Sequence, residues 1–363
     1  MNKVLSSLKF TSGQEIKNRF LLAPLTNCQS DDDGKLSEEE FKWLTMRSKG
    51  GFGLTMTCAS HVQKIGRAFP GQMGIFSDDH INNLKRLTDE IRSNKSVSII
   101  QLHHAGMKSP KKLIGETPVC PSDNESYNAR ALSISEVKIL RDDFIKAAVR
   151  SKKAGFDGVE LHGAHAYIIC QFLSSKYNLR DDIYGGNSEN RFRLLFEIIE
   201  GIRAECGNAF ILGVRLSPEG LENGIRLKES KELAEKLMIS GKIDFLDMSL
   251  WDVFKEPEED QFKGKNLIEH FSELNRGETK LGVAGKIKTT EDILKAIEYV
   301  DWLMLGRAAI LHHNFPILFK KYPNFKTIDT PVDHKYLIKE GLSKAFIDYL
   351  SSGKFDGMVK NNY

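Results

Sequence analysis

Long apolar runs are missing from this sequence of 363 residues. None approaches the roughly 18 residues that a helix needs to span a bilayer. Met1 to Phe10 is polar and mixed, without the apolar stretch of a secretory leader. Cysteine is scarce. Cys28, Cys58, Cys120, Cys170 and Cys206 are odd in number and form no CxxC, which argues against a disulfide framework or a cysteine-held cluster. These absences lead us to expect a cytoplasmic protein. An excess of one charge is also lacking. Lys and Arg number 52 against 49 Asp and Glu, and the net charge of +3 gives no footprint for nucleic acid or a membrane surface. The densest basic group, Lys108, Lys111 and Lys112, reads as a solvated loop. There is no HExxH, no GxGxxG, no tandem repeat and no Pro- or Ser-rich linker.

What is present is an alternation. Short, largely apolar segments occur at Arg19–Ala23, Leu54–Thr57, Val97–Leu102, Gly158–His162, Ile211–Leu216, Phe245–Ser249, Lys280–Ala284 and Trp302–Leu305. They read as strands buried on both faces. Amphipathic helices lie between them, with start signals at Ser37 (a capping box with Glu40), Ser77, Ser135, Ser188 and Thr289. Eight strands alternating with helices predict a single (β/α)8 TIM barrel over residues 1–330. A doubly wound open sheet is the alternative, but it usually carries a glycine-rich turn after its first strand. Two regions depart from the repeat. Residues 105–135 form a long excursion after the third strand. Residues 331–363 form a carboxyl-terminal extension whose stretch Leu337–Leu350 reads as a helix, packing on the barrel or on a partner subunit. A homo-oligomer is left open.

In a barrel of this type chemistry gathers at the carboxyl ends of the strands. Gly285 follows the seventh strand, and Gly306 and Arg307 follow the eighth. Close backbone approach at the glycines, a helix start and a guanidinium suit a phosphate dianion. The plainer reading is two tight turns and a surface arginine. The fourth strand runs into His162-x-x-His165-x-Tyr167. A metal pair is disfavoured because no carboxylate stands at ligand spacing. A pair of structural histidines is the bland alternative. The chemical reading has both imidazoles donating to a substrate oxygen that gains charge, with the phenol as proton donor. A flavin-free barrel lyase or aldolase would need a Schiff-base lysine at an inner strand end. Only Lys286 comes near, and it sits beside the phosphate glycines. A barrel kept only as a binding module fits poorly with an intact His162, His165 and Tyr167.

Several segments in order resemble the old yellow enzyme family of FMN-dependent ene reductases and NADH:flavin oxidoreductases, over roughly residues 3–325. They are Ala23-Pro24-Leu25-Thr26, Gln101-Leu102-x-His104-x-Gly106, the His162/His165/Tyr167 triplet, Asn178-x-Arg180-x-Asp182-x-Tyr184-Gly185-Gly186-x-x-Glu189-Asn190-Arg191, Arg215, Gly285 and Gly306-Arg307. The resemblance implies FMN held by Ala23, Pro24, Leu25, Thr26, Ala59, Gln101, Arg215, Gly285, Gly306 and Arg307. It implies NADH or NADPH as reductant, with no Rossmann unit needed. It also implies hydride transfer to an α,β-unsaturated carbonyl, quinone or nitro compound, with His162 and His165 activating the acceptor and Tyr167 protonating carbon. Departures remain. Cys28, where some relatives have Tyr, is expected in the substrate pocket or equally reads as a small buried hydrophobe, Met107-Lys108 stand where an Arg is common, and the extension has no match in the short termini associated with the family. The chain also lacks the cysteine cluster and the length of the larger Fe–S branch.

Overall fold

The computed structural model describes residues 2–353 and 357–360. Its main body is a closed ring of eight parallel strands in chain order: Phe20–Leu22, Leu54–His61, Val97–His103, Gly158–Gly163, Ile211–Leu216, Phe245–Ser249, Lys280–Ala284 and Trp302–Leu305. The first strand pairs with the second through Leu21 and Leu54, and with the eighth through Leu22 and Leu305. That closure rules out the open sheet. The second strand runs longer than expected because a bulge between Met56 and Ala59 resets its register and carries it on to His61.

Alternation along each strand divides the apolar residues into two layers. Leu21, Met56, Ile99, Ile211, Phe245 and Trp302 fill the interior, and Phe10 and Ile16 of an amino-terminal hairpin close its base. Leu22, Ile100, Val159, Leu212, Leu246 and Leu303 face the helices.

The helix starts differ from expectation in detail. Ser37 caps Glu38–Lys49, but the Glu40 carboxylate turns inward to Asn27 and Ser30 instead of completing the box. Ser133, not Ser135, caps Ile134–Lys153 and makes a full capping box with Glu136. Asn187, not Ser188, caps Ser188–Cys206. Thr289 caps Thr290–Ala296. In each shifted case an equivalent oxygen stands one or two residues earlier, where the chain is still extended.

The long Asn178–Arg191 motif holds loops together. Asn178 Nδ2 donates to Phe172 O and to Tyr184 O, both at 2.7 Å. Arg180 pairs with Asp182 and donates to Pro121 O at 2.7 Å, which ties down the 105–135 excursion. Arg191 reaches Gly186 O at 2.6 Å and Glu229 at 2.6 Å. The basic loop also departs from a plain solvated reading. Lys111 and Lys112 are exposed, but Lys108 is half-buried, and its Nζ donates to His165 O at 2.9 Å.

The extension packs on the barrel's first helix as two helices, His334–Lys339 and Lys344–Ser351, not one. Gly341, at φ +88°, turns the chain between them, and Ser343 starts the second. Phe346 meets Trp43 edge-on with ring centroids 4.9 Å apart, and Ser343 N donates to Gln29 Oε1 at 3.0 Å. Parts of the expected extension, residues 354–356 and 361–363, lie outside the described residues. Among the described residues no helix is long and apolar enough to cross a membrane.

Two histidines that organise the second and third strand ends are buried and neutral. Gly106 N donates to His104 Nδ1 at 2.9 Å, and His61 Nδ1 meets Gln63 O at 2.9 Å. Burial pushes His104 from 6.5 down to about 3, with nearby His61 adding to it, and His61 to about 4, where the bond to Gln63 O opposes burial and Arg67 and His80 reinforce it. An unfolded chain takes up these protons near pH 6.5, whereas the folded chain resists until far lower pH. Their contribution to stability is therefore complete above pH 6.5 and is lost progressively as pH falls towards 4 and 3. Each adds a slope of up to about 1.4 kcal/mol per pH unit in that window. Urea midpoints measured from neutral pH down to about pH 5 should fall, and His104→Asn should flatten the fall. An identical slope in that variant would refute the account.

Candidate active site

The expected residues come from distant parts of the chain and meet in one place. A cleft of about 290 Å³ at the carboxyl ends of the strands is lined by Ala23, Pro24, Leu25, Thr26, Ala59, Gln101, His162, His165, Tyr167, Arg215, Gly285, Gly306 and Arg307. Ser249, Trp251, Lys286, Lys288 and Tyr349 also line it, with Ala284, Ile287 and Met304. Cys28 is not among the lining residues. The phenol expected to be absent there is supplied by the extension instead. Tyr349 enters the cleft, hydrogen-bonds Thr26 and lies close to Cys28 and Tyr167.

His162, at the end of the fourth strand, is 5 % exposed. Ala164 N donates to its Nδ1 at 3.2 Å, which leaves the ring proton on Nε2. Burial holds its pKa well below the ordinary histidine value, helped by His165, His103 and Arg215. It is therefore a neutral N–H donor. The chain then turns through His165 and Ala166, both left-handed at φ +59° and +54°. This bend places the His165 ring 5.0 Å from His162, with Nε2 against Ser249 Oγ at 2.8 Å, on the open rim. Tyr167 follows, 5.0 Å from His162 by ring centroids. Burial raises its pKa above the normal phenol value, and nearby Tyr349 adds to this, so it carries its proton. Lys108 Nζ stands 5.5 Å over the Tyr167 ring. His103, to which the sequence reading gave no role, packs 4.3 Å from Tyr167 and is held by Gln72 at 3.1 Å.

The opposite chemistry, recognition of a polar ring edge, gathers around Gln101 and Arg215. Arg215 Nη2 donates to Ser249 Oγ at 3.1 Å, and Gln101 Nε2 donates to Glu160. Arg215 Nε and Gln101 Oε1 are buried without a partner. A donor and an acceptor left unpaired in a cleft wall are costly unless a ligand completes them. A flavin pyrimidine, with its carbonyls and ring N–H, has the matching groups.

At the phosphate end Gly285 cannot carry a side chain. A Cβ there would lie 2.9 Å from the Trp251 carbonyl carbon. Gly306 precedes the short helix Arg307–Leu311 with no capping side chain, and Lys286, Lys288 and Arg307 supply exposed positive charge. The residues present thus fit FMN at both ends.

Comparison with known proteins agrees. A profile of the NADH:flavin oxidoreductase / NADH oxidase family, whose members use FMN, matches residues 5–322. The chain belongs to that family. It is 33% identical over 353 residues to a probable NADH-dependent flavin oxidoreductase, YqiG, of Bacillus subtilis, covering 93% of this chain and 94% of that protein. It is 33% identical over 326 residues to an NADH:fumarate oxidoreductase of Klebsiella pneumoniae, of which it spans only 35%. Among solved structures, an old yellow enzyme homologue from Zymomonas mobilis superposes with a TM-score of 0.80 at 27% identity, covering 96% of this chain and 99% of that one. The family member described here is an NAD(P)H-dependent flavin oxidoreductase.

Ala166 provides a test of the bend. A left-handed residue with a Cβ costs about 1–2 kcal/mol, partly offset by the greater unfolded freedom of glycine. Ala166→Gly should therefore stabilise the fold by about 0.5–1 kcal/mol in urea unfolding. A loss of stability would mean that the bend is not strained.

Proposed function

We propose that this flavoprotein takes hydride from NADH or NADPH and delivers it to an electron-poor acceptor such as an α,β-unsaturated carbonyl, a quinone or a nitro compound. One observation carries the reading: His162, His165 and Tyr167 converge on the same cleft wall as Gln101 and Arg215. Relatives named for fumarate and acrylate, both activated alkenes, support that acceptor class.

Bound FMN supplies the hydride relay between nicotinamide and acceptor. The protein's groups do the rest. Thr26 and Gln101 hold the ring edge, and Arg215 offsets the negative charge that arrives on reduction. Gly285, Gly306 and Arg307 take the phosphate, and Ala23, Pro24, Leu25 and Ala59 line its bed. The His162 N–H, fixed on Nε2, and the His165 imidazole donate to the acceptor oxygen as charge builds there. Tyr167 gives its proton to the acceptor carbon. Tyr349 borders the acceptor's approach. Residues 1–330 act as the FMN-binding barrel, and the extension that begins at residue 331 brings Tyr349 to its mouth. Buried free thiols at Cys58, Cys120, Cys170 and Cys206 suit a reducing cytoplasm.

Purified protein should be yellow and should bleach with NADH or NADPH in the absence of oxygen. A colourless protein that does not take up FMN would sink the proposal. His162→Ala with His165→Ala should retain FMN but weaken phenolic ligands by at least about tenfold, as loss of two hydrogen bonds to a charged oxygen requires. Unchanged binding would remove the imidazoles from the role given to them. Tyr167→Phe should slow alkene reduction by about 10²-fold or more and quinone reduction far less, because only the alkene needs a proton delivered to carbon. Equal losses on both substrates would count against the phenol as donor.

A further inference from the structure

Below the cleft lies a pair of acids that the proposed reaction does not use. Glu160 stands two residues before His162, and Asp247 two before Ser249. Side chains two apart on a strand share a face. His162 and Ser249 face the cleft, so Glu160 and Asp247 face the barrel interior one layer deeper. Both are 0 % exposed. The strand between them presents Gly213 at this level, in register with Glu160. The Phe245 ring fills the space over that glycine, where a Cβ would lie 2.0 Å from it, and the two carboxyl groups stand within hydrogen-bonding reach of each other. Gly282 gives room on the far side, since a Cβ there would lie 2.0 Å from Asp247 Oδ1.

The surroundings do not provide enough hydrogens for two carboxylates. Gln101 Nε2 donates to Glu160, and Trp302 Nε1 donates to Asp247 Oδ1 at 2.7 Å. Glu160 Oε1 and Asp247 Oδ2 remain buried with no other donor. Ionised carboxyl groups only accept, so a bond between them requires a proton. The cation near both is Arg215.

We propose that Glu160 and Asp247 share one proton and together present a single negative charge beneath Arg215 and Gln101. They are then positioning residues that set how much positive charge the cleft offers to the pyrimidine end of FMN. The inference rests on the reading that Arg215 and Gln101 meet that ring. One shared charge balances Arg215 to a neutral cluster, which burial favours. Burial raises both carboxyls above their usual range, and for Glu160 the neighbouring Asp247 adds to the rise while Arg215 opposes it. The same arrangement orients Gln101. With its Nε2 committed to Glu160, its Oε1 is the atom left for a ligand N–H.

Amide replacement separates the alternatives. In Glu160→Gln or Asp247→Asn the new amide N–H takes the place of the shared proton, and one negative charge stays. Each single variant should keep the ratio of reduced to oxidised FMN affinity within about twofold of wild type. The double variant leaves Arg215 uncompensated and should favour the reduced, more anionic form by about tenfold, an upward shift of about 30 mV in a two-electron couple. Single variants that each give half of that shift would mean both acids were ionised. A double variant without a shift would mean neither was. Either result overturns the shared proton.

Apoprotein gives a reading independent of FMN. Infrared difference spectra at neutral pH should show a carboxylic acid C=O band in wild type that both single variants lose, and its absence would also overturn the proposal. Failure of the wild-type protein to bind FMN would strike the cleft assignment, while the band would still report on the acid pair.

Discussion

Eight parallel strands that close on themselves, with side chains alternating in and out, impose the order on which the rest of this molecule depends. Every second residue of each strand must enter one narrow interior. At the base and middle these positions are apolar, as with Ile99, Ile211 and Phe245. Near the carboxyl ends they become Gln101, Glu160, His162, Arg215, Asp247 and Ser249. A polar layer buried at that depth must satisfy itself or await a ligand. Trp302 donates to Asp247 and Gln101 to Glu160, while Arg215 Nε and Gln101 Oε1 are left without a protein partner. The same ring that makes a hydrophobic core thus makes a polar floor whose unpaired groups fit a flat polar cofactor.

The loops above this floor are held by a few contacts between distant segments. Arg180 joins the excursion after the third strand to the segment after the fourth. Lys108 bonds the backbone of His165 and lies over Tyr167. Gln29 and Trp43 receive the extension, which brings Tyr349 to Thr26. The Lys108 and extension contacts set the places of His165, Tyr167 and Tyr349, which line the cleft. The longest motif of the chain, Asn178 to Arg191, contributes no residue to the cleft lining and ties loops together.

Much of this was legible in the sequence. Strand positions could be read because fully buried strands give short apolar runs, and four of the eight agree in both bounds: Ile211–Leu216, Phe245–Ser249, Lys280–Ala284 and Trp302–Leu305. Cleft residues could be read because barrel chemistry sits just past such runs. Local competition was not legible. Ser133 and Ser135 are both plausible caps, and only the packing of the helix decides between them. The bulge that lengthens the second strand and the Gly341 turn that splits the last helix are likewise resolved by neighbours in space.

The sequence by itself determined the number and order of the strands, the strand-end residues and the family, because these depend on local pattern and on motifs in fixed order. Only the tertiary structure decided which distant side chains share a wall. Tyr349 in place of Cys28, Lys108 over Tyr167, and Glu160 against Asp247 all join residues with no periodic relation along the chain. Their meeting follows from the curvature of the closed sheet and from the return path of the extension, neither of which leaves a mark in any local stretch of sequence.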